Sequence, residues 1–386
     1  MFSRRIPPQL EPNALARAVD ALRESAAPVA DLTESNPTRA GIPYPDGLLA
    51  PLAGAAALRY EPHPFGSPAA RAAVALDQRR RGVDVDASDV VLTASTSEAY
   101  SWLFKLLCDP GDAVLVPSPS YPLFEHLTAL EAVQATPYPL EYHGRWSMDL
   151  AAIGRAQDAV RAVLVVSPNN PTGSYITGDE LSRLAHLCGE RGWALIVDEV
   201  FADYPLDADA PLTDIASRAG VLTFSLAGLS KSVGLPQLKA AWIIAGGPAA
   251  ERAAALARLE LIADTYLPVA TPVQVAMPHL LEAGAAVRGA IQQRIRHNLD
   301  ALRTIARGHP ACSVLPVEGG WSAVVRVPST RSEEALVLDL VHRERILVHP
   351  GYFFDFPGES FVVVSLLPEP RLFADAVSRL FQFVSC

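Results

Sequence analysis

Residues 162–200 read AVLVVSPNNPTGSYITGDELSRLAHLCGERGWALIVDEV. Two short runs, Ala162–Val166 and Ala194–Val197, are almost continuously aliphatic, the pattern of strands buried on both faces of a parallel sheet. Between them lies a helix with punctuation at both ends. Thr177-Gly178-Asp179-Glu180 is a capping box, in which the threonine and glutamate side chains reciprocally satisfy backbone amides. Leu181, Leu184, Ala185 and Cys188 then make one apolar face, and Gly192 supplies the stop. The stretch is one β-α-β unit.

The same grammar extends in both directions. Aliphatic runs at Val90–Thr93, Ala113–Val116, Val221–Phe224 and Ala240–Ala245 alternate with helical patterns. This predicts an α/β fold with a mostly parallel central sheet covered by helices. A long helical pattern over Ala285–Arg307 is closed by Gly308 and Pro310 and precedes a strand pattern at Ser322–Val327. Such a helix can carry the chain between domains. The expected organisation is a large domain at residues 41–280, a smaller α+β domain at residues 281–386, and an arm at residues 1–40 that returns to the smaller domain. The chain shows no internal repeat.

At 386 residues, 50% hydrophobic and 19% charged, the sequence exceeds one usual domain and can bury a large core. A net charge of −10 argues against nucleic acid or an anionic membrane as the main partner. There is no apolar run long enough to span a bilayer and no apolar signal core before Arg17, so the cytoplasm is the expected compartment. Cys108, Cys188, Cys312 and Cys386 have no metal-ligand spacing and are expected as core thiols, with neither disulfide nor metal.

Of the 32 basic residues only three are lysines, Lys105, Lys231 and Lys239. A guanidinium stays protonated and is a poor Schiff-base partner, so a retained primary amine is where a carbonyl cofactor could be held. Base composition of the genome also produces arginine-rich chains. Lys231, in Ser230-Lys231-Ser232, therefore gains weight only from its company. That company is Tyr60 with Gly66, then Thr93-Ala94-Ser95-Thr96-Ser97-Glu98, Pro119-Ser120-Tyr121, Asn169-Asn170-Pro171-Thr172-Gly173 and Asp198-Glu199-Val200-Phe201, with Lys239 following.

This series resembles the class I/II aminotransferases, enzymes of fold-type I that use pyridoxal 5'-phosphate. The resemblance spans residues 30–365 and rests on six motifs in the expected order. It implies a homodimer acting on an amino donor and a keto acid. Lys231 would form the Schiff base and then, freed by substrate, shuttle a proton. Asp198 would keep the pyridine nitrogen protonated, and Tyr121 would stack on the ring. Asn170 would hydrogen-bond the phenolic oxygen. Ser95, Thr96, Ser230 and Lys239 would serve the phosphate, and Tyr60 would reach the phosphate in the partner's site. The same residues have plainer readings: a Ser/Thr helix cap, a turn, a core tyrosine. Glu199, on the opposite side of the strand from Asp198, reads as structural.

Three departures from the pattern concern the cofactor's phenolic oxygen and the substrate. Phe201 stands where the family usually has a tyrosine that donates to the phenolic oxygen. Val363, in Phe361-Val362-Val363-Val364-Ser365, stands where an arginine grips the substrate α-carboxylate. Ser35 replaces the usual glycine of the substrate loop. Replacement cations are Arg39, Arg345, His349, Arg4 and Arg5; Trp321 either lines the pocket or packs the core. Carboxylate anchoring helps select which bond breaks, so β-elimination, decarboxylation and racemisation stay open beside transamination. A lyase on the same cofactor and a non-catalytic cofactor-binding sensor are the competing readings.

Overall fold

The computed structural model describes residues 2–8, 10–24, 28–157, 159–206, 214–358 and 360–385; Cys386 lies outside them. The strands in chain order are β1 (Ala30–Asp31), β2 (Val90–Thr93), β3 (Ala113–Ser118), β4 (Gln134–Tyr142), β5 (Trp146–Met148), β6 (Val160–Val166), β7 (Ala194–Asp198), β8 (Thr223–Gly228), β9 (Ala241–Gly246), β10 (Ser313–Val314), β11 (Ser322–Arg326), β12 (Ile346–Leu347), β13 (His349–Pro350) and β14 (Phe361–Ser365). Eight of them form the central sheet in the order β2-β9-β8-β7-β6-β3-β4-β5. Neighbours from β8 to β4 are parallel, whereas β9 runs against both β8 and β2, and β5 against β4.

The β-α-β unit forms as its punctuation dictates. Thr177 caps the helix Gly178–Arg191 by accepting from the Glu180 amide, the Glu180 carboxylate returns the bond, and Gly192 ends it in the left-handed region at φ 66°. Two expectations are corrected. The run placed at Val221–Phe224 is a strand only from Thr223 and continues to Gly228. Ser225, Ala227 and Gly228 all pair with β9, and at Gly228 a Cβ would come within 2.8 Å of the Ala241 Cβ, so only glycine fits there. β4 has no counterpart among the expected strands. Its Pro137 and Pro139 pair with β3 on one side, while β5 covers the other side only from Leu140 to Tyr142. Edge positions of this kind tolerate proline.

A second, antiparallel sheet has the order β10-β11-β14-β13, and β1 pairs in parallel with β12. The Ser365 amide donates to Leu32 O (2.6 Å) and its hydroxyl to Glu34 O (2.7 Å), which fixes the chain entering Ser35. The helix Ala285–Ala306 packs against Pro370–Ser385 and against the large apolar core. Among the described residues no helix is long and apolar enough to cross a membrane, and no His, Cys, Asp or Glu cluster could hold a metal. Cys108, Cys188 and Cys312 are free thiols.

The topology gathers the chemistry at one edge. β2, β3, β6, β7 and β8 all point the same way, and ligands of open α/β sheets sit beyond the carboxyl ends of such strands. There β2 leads into the helix Thr96–Leu107, β3 into Tyr121, β6 into the Asn169–Gly173 loop, β7 ends on Asp198, and β8 leads into Lys231.

Candidate active site

Asp198 is the last residue of β7 and only 8% exposed. The Tyr100 hydroxyl donates to its Oδ2 at 2.7 Å and the Val200 amide to its Oδ1 at 3.0 Å. Burial pushes its carboxyl above the usual carboxylate range, and Glu199 adds to this; the two hydrogen bonds and the Lys231 charge pull the other way. Tyr100 is not among the residues singled out from the sequence, since it falls in register with Phe104 and Leu107 on one face of its helix. Once buried, its hydroxyl is obliged to find a partner.

Lys231 lies in the one-turn helix Leu229–Ser232 directly after β8. Burial pushes its ammonium below the usual lysine range, with Asp198 opposing. Its Nζ sits 5.0 Å from the centroid of Trp321 and 5.6 Å from that of Phe201. Those two rings meet edge to face at 5.3 Å, and Tyr204 packs on Trp321 at 5.0 Å. The main chain is pinned as well. Tyr204 Oη donates to Lys231 O at 2.5 Å, and Arg288 Nε to Ser232 O at 3.0 Å. Both carbonyls lie at a helix end, where Lys231 O also accepts from the Val233 and Gly234 amides.

The two residues share a cavity of about 200 Å³. Ser35, Thr96, Tyr121, Asn170, Ser230 and Trp321 also line it, together with Ser97, Tyr100, Phe201, Ser322 and the aliphatic wall of Leu123, Leu127 and Val200. Thr96 and Ser97 open a twelve-residue helix, where backbone amides and the helix dipole favour an anion. Ser95 is the N-cap; its Oγ accepts from the Glu98 amide at 3.1 Å, which leaves its hydroxyl proton to donate. Asn169 holds the next loop: its Oδ1 accepts from Ser120 Oγ at 2.7 Å, and its Nδ2 donates to Pro119 O and Thr172 Oγ1. Asn170 is thereby presented to the cavity. Tyr121 is partly exposed and packs edge-on against Phe124.

Other expected residues stand apart. Lys239 is exposed, at a left-handed φ of 52°, outside the cavity lining. Tyr60 is 65% exposed and does not line this chain's cavity either. Val363 is 1% exposed and packs in the core with Val324 and Phe354. Arg39 pairs with Glu34 at 3.1 Å, Arg5 donates to Leu130 O at 3.0 Å, and burial lowers the proton affinity of His349. Among the described lining residues Lys231 is the only cation. Glu199 is buried in an ion pair with Arg81 at 2.9 Å and also accepts from Ser225.

Pyridoxal phosphate needs an anion cradle, a carboxylate for its ring nitrogen, a donor for its phenolic oxygen and an amine for its aldehyde. The helix start at Thr96, Asp198, Asn170 and Lys231 could supply these in turn, around a single cavity. The indole N–H of Trp321, a residue that lines the same cavity, is buried without a hydrogen-bond partner. The residues fit the group.

Comparison with known proteins identifies the family. The chain is 29% identical over 307 residues to an alanine aminotransferase of Mycobacterium bovis, covering 78% of this chain and 71% of that protein. It is 24% identical over 379 residues to the glutamate-pyruvate aminotransferase AlaA of Escherichia coli, covering 94% and 92%. In fold it matches the crystal structure of an aminotransferase from Escherichia coli with a TM-score of 0.88 at 23% identity, covering 100% of this chain and 98% of that one. The family described as aminotransferase class I and II matches residues 52–371. The chain belongs to this family and is a pyridoxal phosphate-dependent aminotransferase.

Proposed function

We propose that the enzyme moves an amino group between a small amino acid and a keto acid, with alanine or glutamate as donor, and that Lys231 holds the cofactor through a Schiff base. The names of the relatives in which the chain is 29% and 24% identical support the substrate class. The observation that carries the rest is that a buried carboxylate, Asp198, and a half-buried amine, Lys231, share one cavity at the carboxyl edge of the sheet.

When bound, pyridoxal phosphate supplies an electron sink for the carbanion at the substrate α-carbon and carries the amino group between substrates. The chain supplies everything else. The amides of the helix start, with Thr96, Ser95 and Ser230, hold the phosphate, and Lys239 adds a more distant point charge. Asp198 keeps the ring nitrogen protonated, Tyr121 stacks on the ring, and Asn170 donates to the phenolic oxygen. Lys231 Nζ takes the proton from the substrate α-carbon, and burial, by lowering its proton affinity, favours the free amine that this step needs. Tyr60, exposed and away from its own chain's cavity, reaches the partner's site in a homodimer.

The substrate carboxylate is held by neutral donors instead of a guanidinium: Ser35 and Ser322, which line the cavity beside Trp321. Phe201 brings no hydroxyl to the phenolic oxygen. Phe201→Tyr therefore adds a donor to an anion, an interaction of roughly 1.5–3 kcal/mol, or about one to two pH units. The midpoint of the pH-dependent change in visible absorbance should move down by that amount; a midpoint that stays put, or rises, counts against the assignment.

The reading is tested by mixing the loaded enzyme with alanine or glutamate in single turnover. The expected result is loss of the visible absorbance with one equivalent of pyruvate or 2-oxoglutarate per site. Release of ammonia with no need of a keto-acid acceptor would show a lyase instead.

A further inference from the structure

We infer that Tyr100 is a positioning residue for the reaction: its hydroxyl fixes Asp198 toward the ring nitrogen, and its helix sets the spacing between that contact and the phosphate end of the site. The inference rests on the reading of Asp198 as the partner of that nitrogen.

Three observations carry it. First, each oxygen of the Asp198 carboxylate has one fixed donor, Tyr100 Oη at 2.7 Å on Oδ2 and the Val200 amide at 3.0 Å on Oδ1. Two donors on a side chain with two soft torsions leave one orientation and keep a lone pair on each oxygen for a further donor. Second, the phenol is itself clamped. Tyr100 is 3% exposed, stacked on Phe104 at 6.0 Å and edge-on to Phe124 at 5.6 Å. Third, Tyr100 follows Thr96 by four residues in the helix Thr96–Leu107, and both line the cavity. Such a pair shares one face and is separated by roughly 6 Å along the axis. One rigid element thus contributes a residue to each end of the site.

The bond also favours the charged form of Asp198 against burial. The groups around that carboxylate are Glu199 on its own strand, Lys231 after β8, Tyr121 after β3 and Tyr100 from the helix. Burial and Glu199 favour its neutral form, while Tyr100, Val200 and Lys231 favour the anion. Removing the phenol hydroxyl tips this balance toward the neutral acid, which cannot hold a protonated ring nitrogen.

The test compares Tyr100→Phe with Asp198→Asn. In the cofactor-free protein, the carboxyl resonance of Asp198 is followed by NMR of carbon-13-labelled aspartate and assigned by its loss in Asp198→Asn. Tyr100→Phe should move its titration midpoint up by about one pH unit. In the loaded enzyme it should weaken cofactor binding about tenfold and lower kcat about tenfold, with KM for the amino donor nearly unchanged. An unmoved midpoint and unchanged cofactor affinity, with only a lower melting temperature, would reduce Tyr100 to packing and overturn the inference, provided that Asp198→Asn weakens cofactor binding. If Asp198→Asn binds the cofactor normally, the reading of Asp198 itself falls.

Discussion

On the proposed mechanism Lys231→Ala loses turnover by about 10⁴-fold or more, because the substitution would remove both the covalent tether and the proton carrier. No neighbour can stand in. Lys231 is the only cation among the described residues of the cavity wall, Lys239 is exposed and outside it, and Lys105 is tied to Glu131 on the far side of its helix. The fold should survive. The side chain is half-buried against Phe201 and Trp321, and its ammonium is destabilised by burial, so a neutral replacement relieves one cost while losing some packing. Cofactor should still bind through the helix start and Asp198 but without the Schiff-base absorbance. The check is steady-state turnover beside the visible spectrum and the melting temperature. An alanine variant that turns over at the parental rate would exclude Lys231.

Asp198→Asn should lower kcat by about 10²–10³-fold, the usual cost of deleting one preorganised electrostatic partner of the reacting group. Asparagine keeps the shape but carries no charge to hold the ring nitrogen protonated. A second consequence has a definite sign. Burial raises the proton affinity of Asp198 in the folded protein, so folded chains bind more protons than unfolded ones between the ordinary carboxylate value and the raised one. The stability of the cofactor-free parent relative to Asp198→Asn is therefore greatest at acid pH and declines as pH rises through the raised value. Thermal melts across that range check it; a difference that grows with pH would contradict the burial account.

What the sequence made legible follows from which constraints are local. A capping box, a left-handed glycine stop and continuous aliphatic runs act within a few residues, so the β-α-β unit and the strand ends at Asp198 and Thr93 could be read directly. β4 could not, because Pro137 and Pro139 argue against a strand until it is known that they lie where one side lacks a partner. The end of β8 was hidden for the opposite reason. Gly228 looks like a turn residue, and only the 2.8 Å approach of Ala241 shows why a glycine belongs in that ladder.

The site divides in the same way. Asp198, Lys231, Asn170 and Thr96 sit at strand ends and loop starts that the topology brings together, so an ordered series of motifs suffices to name them. Tyr100 does not stand out, since on its helix it falls in register with Phe104 and Leu107 and looks like core; its contact with Asp198 bridges 98 positions. Val363 shows the reverse limit. Its place in the chain resembles that of a substrate-binding arginine, yet its side chain is in the core, and Ser35, Trp321 and Ser322 line the cavity from distant segments.

The most direct measurement is reduction of the cofactor-loaded protein with borohydride, followed by digestion and mass spectrometry of the labelled peptide. With only three lysines in the chain the outcome is unambiguous. One phosphopyridoxyl group per chain, on Lys231 alone, is the predicted result; label on Lys105 or Lys239, or on none of the three, would contradict the account.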